Sequence, residues 1–144
     1  MAVSTQERLD ILQDISKSWL ELVKTIRGLS DEQIVKPDTV GEWSVKDIMA
    51  HITFWESRLI HDVGLLERGE HPVESSDYES INQQEATRSR SASLDDVRAQ
   101  FDATHDQVMG MLEGTSRISR ELVAGGTYEH YDEHRADIRK AFKK

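Results

Sequence analysis

The chain has no cysteine, which removes a thiol nucleophile, thiolate metal ligation and disulfide bonding from the chemistry open to it. It has no apolar run near the ~18 residues that a transmembrane helix requires, so no membrane partner is expected. Its first residues, MAVSTQERLD, lack the basic and then apolar zones of a secretory signal, and the expected location is the cytoplasm. Basic residues are in the minority, 18 Lys and Arg against 27 Asp and Glu, for a formal net charge of −9. That balance and the lack of a basic stripe disfavour the phosphate contacts on which nucleic-acid affinity rests, so nucleic acid is not an expected partner.

What remains is a globular composition, 37% hydrophobic and 31% charged, on 144 residues. This is single-domain length, and residues 1–144 are read as one domain able to bury a core and still enclose a cavity. The apolar periodicity is helical. Ser4-Thr5-Gln6-Glu7 has the form of a capping box, and Leu9, Leu12, Ile15, Trp19, Leu22, Val23 and Ile26 follow at helical steps until Gly28. Ser30-Asp31-Glu32-Gln33 opens a short turn of helix that Pro37 soon follows, with a loop to Gly41. Ser44-Val45-Lys46-Asp47 caps the second long helix, whose stripe is Val45, Ile48, Ile52, Trp55, Leu59, Val63 and Leu66, ending near Gly69. His51 lies on or beside that stripe, where a core histidine satisfied by one hydrogen bond is the ordinary reading.

The polar stretch from Gly69 to about Ser93, with a helical piece expected around Tyr78 to Arg88, is too long for a link between antiparallel neighbours. It predicts a crossover joining parallel helices. Ser93-Leu94-Asp95-Asp96 caps the third long helix, carried by Leu94, Val97, Phe101, Val108, Met111 and Leu112, with His105 on its apolar side. The last helix is expected to start between Ile118 and Glu121 and to reach about Phe142, with Leu122, Val123, Tyr131, Ile138 and Phe142 facing in. Gly125-Gly126 falls inside it or breaks it, at ~1 kcal/mol per helical glycine relative to alanine. Close helix packing and room for a ligand both account for that cost.

His130 and His134 on this last helix are four residues apart. A four-residue step rises ~6 Å and turns ~40° past a full circle, so both imidazoles can reach one point. His134 falls on the buried stripe between Tyr131 and Ile138. If the second and last long helices pack together, His51 completes three imidazoles around a point with one position open. Such a set favours Zn²⁺ or Ni²⁺ over Mg²⁺ or Ca²⁺, which take oxygen ligands. Protonated imidazole cannot ligate, so binding is expected to weaken below about pH 6. The zincin motif is excluded, because H-E-x-x-H needs glutamate where this chain has Tyr131, and Glu133 projects from another face.

The segments GEWSVKDIMAHITFWESRLI and GGTYEHYDEHRADI together resemble the DinB/YfiT-like superfamily of candidate metalloenzymes, close to its ClbS/DfsB-type branch. The resemblance implies an all-α, left-handed four-helix bundle of up-down-down-up topology with a long crossover between the second and third helices. It implies a metal triad on His51, His130 and His134, although some members of that branch work without an evident metal. Activities across the superfamily include hydrolysis and the use of low-molecular-weight thiols to open or isomerise small electrophiles. In this cysteine-free chain any sulfur nucleophile would come from such a thiol cofactor.

Trp19, Trp43 and Trp55 read first as packing residues, Asp47 as the capping acid of its helix, and His61 and His71 as solvent or crossover residues. His105 and Tyr131 are the weak catalytic candidates, by acid/base help or hydrogen bonding to a polarised substrate, and a structural role is the better reading for both; the same holds for Tyr128. The leading functional expectation is a metal-dependent enzyme acting on a small electrophilic molecule, by hydrolysis or thiol transfer, of a detoxification type. A non-catalytic protein that sequesters a small molecule is the alternative, as is a structural bundle. Amphipathic helices of this length also allow one face to pair with a symmetry mate as a homodimer.

Overall fold

In the computed structural model, which describes residues 4–72 and 77–143, the periodic stretches become helices α1 (Thr5–Arg27), α2 (Asp31–Val35), α3 (Val45–Glu67), α4 (Tyr78–Arg90), α5 (Leu94–Gly114), α6 (Arg120–Val123) and α7 (Tyr128–Ala141). A 3-10 turn at Ala124–Gly126 separates α6 from α7. Among the described residues there is no strand beyond an isolated bridge between Val40 and Trp43, and no helix is long and apolar enough to cross a membrane. Residues 73–76 of the expected crossover, like 1–3 and 144, lie outside the described residues.

The capping serines set the helix starts. Ser30 and Ser44 form reciprocal capping boxes, with Gln33 and Asp47 reaching back to the cap N–H. Ser4 and Ser93 accept from the N–H of Glu7 and Asp96, with no return bond from the Glu7 or Asp96 side chain, so these two act as simple caps. On α1 the buried stripe is Ile11, Ile15, Trp19, Leu22 and Ile26, while Leu9 is 46% exposed. Leu9 was expected to face in, but two helical steps place it ~200° from Ile11 and so on the opposite face. Each fully buried Ile or Leu in this stripe contributes roughly 1.5–3 kcal/mol of transfer free energy.

Contacts between elements show how the long helices run. Near the starts of α3 and α5, Lys46 Nζ donates to the Ala92 carbonyl at 2.6 Å; further along, Glu56 meets His105 at 3.0 Å. The partners advance together, so α3 and α5 are parallel, and α4 lies in the crossover between them. In α1 and α7, Trp19 meets the Tyr131 ring and Arg135 reaches Thr25 and Glu21, again in the same direction. Across the core, Arg8 Nη1 donates to the Leu112 carbonyl while Trp19 packs on Phe101, so α1 and α5 run opposite ways.

Candidate metal centre

His51 sits in the second turn of α3, and His130 and His134 occupy successive turns of α7. The three side chains converge by their Nε2 atoms: His130 Nε2 is 3.0 Å from His51 Nε2 and 2.9 Å from His134 Nε2. One potential ligand atom from each lies within 4.8 Å of the other two. The corresponding separation around a tetrahedral ion with Zn–N bonds of about 2.0–2.1 Å is about 3.3 Å.

Protons alone do not satisfy this cluster. A neutral imidazole nitrogen either carries one hydrogen or presents one in-plane lone pair. His130 Nε2 can therefore make one linear hydrogen bond, as donor or acceptor, and the other close contact is left without one of its own. A cation at the shared point would meet three lone pairs at once. The donor set of three imidazole nitrogens fits a transition ion. With Nε2 facing the ion, the remaining protons fall on the three Nδ1 atoms, all buried without a hydrogen-bond partner. The acid nearest to one of them is Asp137, whose Oδ2 is 3.8 Å from His134 Nδ1.

Electrostatics keep the three rings neutral. Burial first, then the neighbouring His134 and His130, lowers His51 from 6.5 to about 3. Burial and His134 lower His130 to about 4, against an opposing effect of Glu133, and burial lowers His134 to about 4. The ligating form is thus the one present across neutral and mildly acidic pH.

The triad forms one wall of an open cavity of about 690 Å³. Trp43 stands over His51 with ring centroids 5.0 Å apart, held by a tight turn in which Val40 and Trp43 exchange backbone hydrogen bonds. Gly41 supplies that turn's positive φ of 61°. Trp55 lies at the border of α3's buried stripe and donates from Nε1 to Asn82 Oδ1 at 2.8 Å, which ties α4 to the cavity rim. Gly125 and Gly126 also line the cavity, and a Cβ built on either meets no atom within 4 Å. The glycine pair therefore breaks the last helix and leaves space in the cavity, with no atom in the way of a side chain at either position.

The other singled-out residues lie elsewhere. His105 is buried, stacked on Trp19 with centroids 3.7 Å apart and planes 2° from parallel, and it does not line the cavity. Tyr131 is fully buried and donates to Glu56 Oε2 at 2.7 Å. Burial, then the Glu56 carboxylate, holds its hydroxyl well above 10, so it stays protonated. Asp47 is the capping acid, accepting from the Ser44 N–H. His61 and His71 are exposed. Tyr128 accepts from Arg120 at the surface end of α7.

Two residues escape a reading by periodicity. Glu56 is fully buried, receiving Tyr131 and His105 on Oε2 while Oε1 has no partner. Its position four after Ile52 and three before Leu59 put it on the apolar stripe, and that was the available signal. Arg58, half-buried in the cavity wall, is the second.

A family model described as DinB superfamily matches residues 14–140. No curated protein and no solved structure matches the chain.

Proposed function

The chain belongs to the DinB superfamily, and from that premise we propose that it is a metal-dependent enzyme in which His51, His130 and His134 hold a divalent transition ion, Zn²⁺ or Ni²⁺, beside a small-molecule cavity. The observation that carries this reading is the convergence of three Nε2 atoms, from part-buried histidines, on one wall of that cavity. We place the chain near the ClbS/DfsB-type branch, as an up-down-down-up four-helix bundle; the parallel contacts of α3 with α5 and of α1 with α7 support that topology.

The substrate class is a small electrophile, consumed by hydrolysis or by transfer of a low-molecular-weight thiol. A bound ion would supply Lewis-acid polarisation and would lower the pKa of a coordinated water or thiol. The residues of the chain do the rest. The three imidazoles present lone pairs from two helices whose packing fixes them, so the site is preorganised. Trp43 and Trp55 offer flat apolar walls against which a small molecule loses water. The cavity is within the usual range for small-molecule sites, and Gly125 and Gly126 in its lining leave room for a ligand.

The test is turnover. Untagged protein loaded with zinc or nickel is given epoxide, cyclopropane and maleyl-type electrophiles, with and without a small thiol, and consumption is followed past one equivalent. Multiple turnovers that fall by orders of magnitude in His51→Ala are expected. Consumption that halts at one equivalent identifies a sequestering protein instead, and turnover undiminished in His51→Ala removes the metal from the reaction.

A further inference from the structure

Arg58 carries a positive charge into the cavity, and among the described residues no acid pairs with it. Its Nε is buried without a hydrogen-bond acceptor. The guanidinium carbon lies over the Trp55 ring, 5.9 Å from the centroid. A cation–π contact of this kind engages the charge and takes up no N–H donor of the guanidinium in a hydrogen bond to an acceptor atom.

The position of Arg58 relative to the triad has a definite geometry. Arg58 follows His51 by seven residues on α3, two turns that rise about 10 Å and return to within about 20° of the same face. Both side chains therefore look into one cavity from one helix, one near each end of that span. Asp62 and the exposed Glu133 also line the cavity, and the whole chain is acidic, with a net charge of −9. These acids repel a ligand with several negative charges while leaving one site for a single charge.

We infer that Arg58 is the recognition residue for a carboxylate: the ligand of this cavity is a small monocarboxylic acid whose carboxylate is held by the two Nη groups of Arg58 while its other end faces His51, His130 and His134. Nε is buried and closed to a ligand, whereas the two Nη groups together match the two oxygens of a carboxylate in a bidentate fork, a geometry that favours this group over a point-charge contact. The inference rests on the reading of the cavity as a small-molecule site and narrows its substrate class.

The experiment uses benzoate and its neutral isostere benzamide as probes of the metal-free full-length protein, with binding followed by NMR through the indole N–H signals of Trp43 and Trp55. Wild type is expected to prefer benzoate by about ten-fold or more, as a charge-assisted bidentate contact implies. The preference should vanish in Arg58→Gln and return in part in Arg58→Lys. Zinc titration of the same three proteins tests the triad separately, and equal uptake is expected in all. Loss of the benzoate preference with intact zinc uptake supports the inference. A preference that persists in Arg58→Gln, or equal binding of the two probes to wild type, overturns it. If zinc is not taken up but the Arg58-dependent preference is present, the carboxylate site stands and the metalloenzyme reading falls.

Discussion

The Tyr131 hydroxyl donates to the Glu56 carboxylate at 2.7 Å, joining residues 75 positions apart in the only fully buried acid of the core among the described residues. His105 Nδ1 meets the same oxygen at 3.0 Å and its ring stacks on Trp19, so α1, α3, α5 and α7 share one polar pin. Tyr131 also follows His130 directly in α7, and the pin thereby limits rotation of the helix that carries two of the three converging imidazoles.

Removing one side of that pin is expected to be costly. Glu56→Ala removes the acceptor shared by the Tyr131 hydroxyl and His105 Nδ1, leaves them only their 3.3 Å contact with each other, and opens a void, for a loss of about 3–5 kcal/mol. Tyr131→Phe removes one hydrogen bond to a carboxylate and should cost about 1.5–3 kcal/mol. Urea unfolding followed by circular dichroism measures both. A Glu56→Ala variant as stable as wild type would show that the buried network contributes nothing net.

Much of the fold is written in the sequence at short range. Serines followed three residues later by an acid or amide mark helix starts, and their partner N–H groups lie within the same turn, so Ser4, Ser30, Ser44 and Ser93 are legible without tertiary knowledge. His51 is legible because its stripe is, and the four-residue spacing of His130 and His134 is a property of one helix. Glu56 is not legible in this way. A single acid amid Ile52, Leu59 and Val63 looks like interruption of a stripe until its partners are known, and those stand on α5 and α7. Arg58 is hidden for the converse reason: what distinguishes it is a missing partner, and a sequence does not list absences of contact.

Zinc binding by the triad should be close to stoichiometric, and each of His51→Ala, His130→Ala and His134→Ala should weaken it by more than about a hundred-fold, since a ligand counts for more than the outer partners whose loss costs 10–100-fold. Titration calorimetry on untagged protein gives the affinities. Equal zinc uptake by wild type and His130→Ala would place the ion elsewhere. Asp137 offers a graded comparison: its Oδ2 stands 3.8 Å from His134 Nδ1, and a small shift would let it accept that proton when Nε2 ligates. Asp137→Ala is expected to lower affinity about ten-fold with no change in fold.

The pH response follows from burial. In the folded metal-free protein His51 protonates at about 3 and His130 and His134 at about 4, against an ordinary 6.5. The unfolded chain therefore binds protons first as pH falls, and the stability that neutral histidines contribute is complete above about 6.5 and lost progressively towards 4 and 3. Urea midpoints of metal-free protein should fall between pH 7 and pH 4.5, with a shallower decline in a variant carrying Asn at all three positions. Proton competition with a bound metal moves down with these values. Zinc affinity at fixed ionic strength should stay nearly level from pH 7 to pH 5 and fall below that, in place of the decline below about pH 6 that unburied histidines would give. A steep loss of affinity already at pH 6 would show that the imidazoles are better hydrated than their burial implies.

Gly125 and Gly126 separate packing from ligand space. Both line the cavity, and a Cβ at either position meets nothing within 4 Å, so a side chain there would project into open volume without displacing neighbours. Neither residue has a positive φ, and alanine fits the backbone they adopt. Gly126→Ala should leave stability unchanged or raise it by about 0.4–1 kcal/mol, because the unfolded chain loses freedom while the native contacts stay as they are. Gly126→Leu should fold with comparable stability yet fill part of the cavity, so that the benzoate-dependent shifts of the Trp43 and Trp55 indole signals shrink while zinc uptake by the three histidines persists. A Gly126→Leu protein that unfolds at a much lower urea concentration would mean that the glycine pair serves helix packing; one that binds benzoate like wild type would mean that ligands enter the cavity from another side.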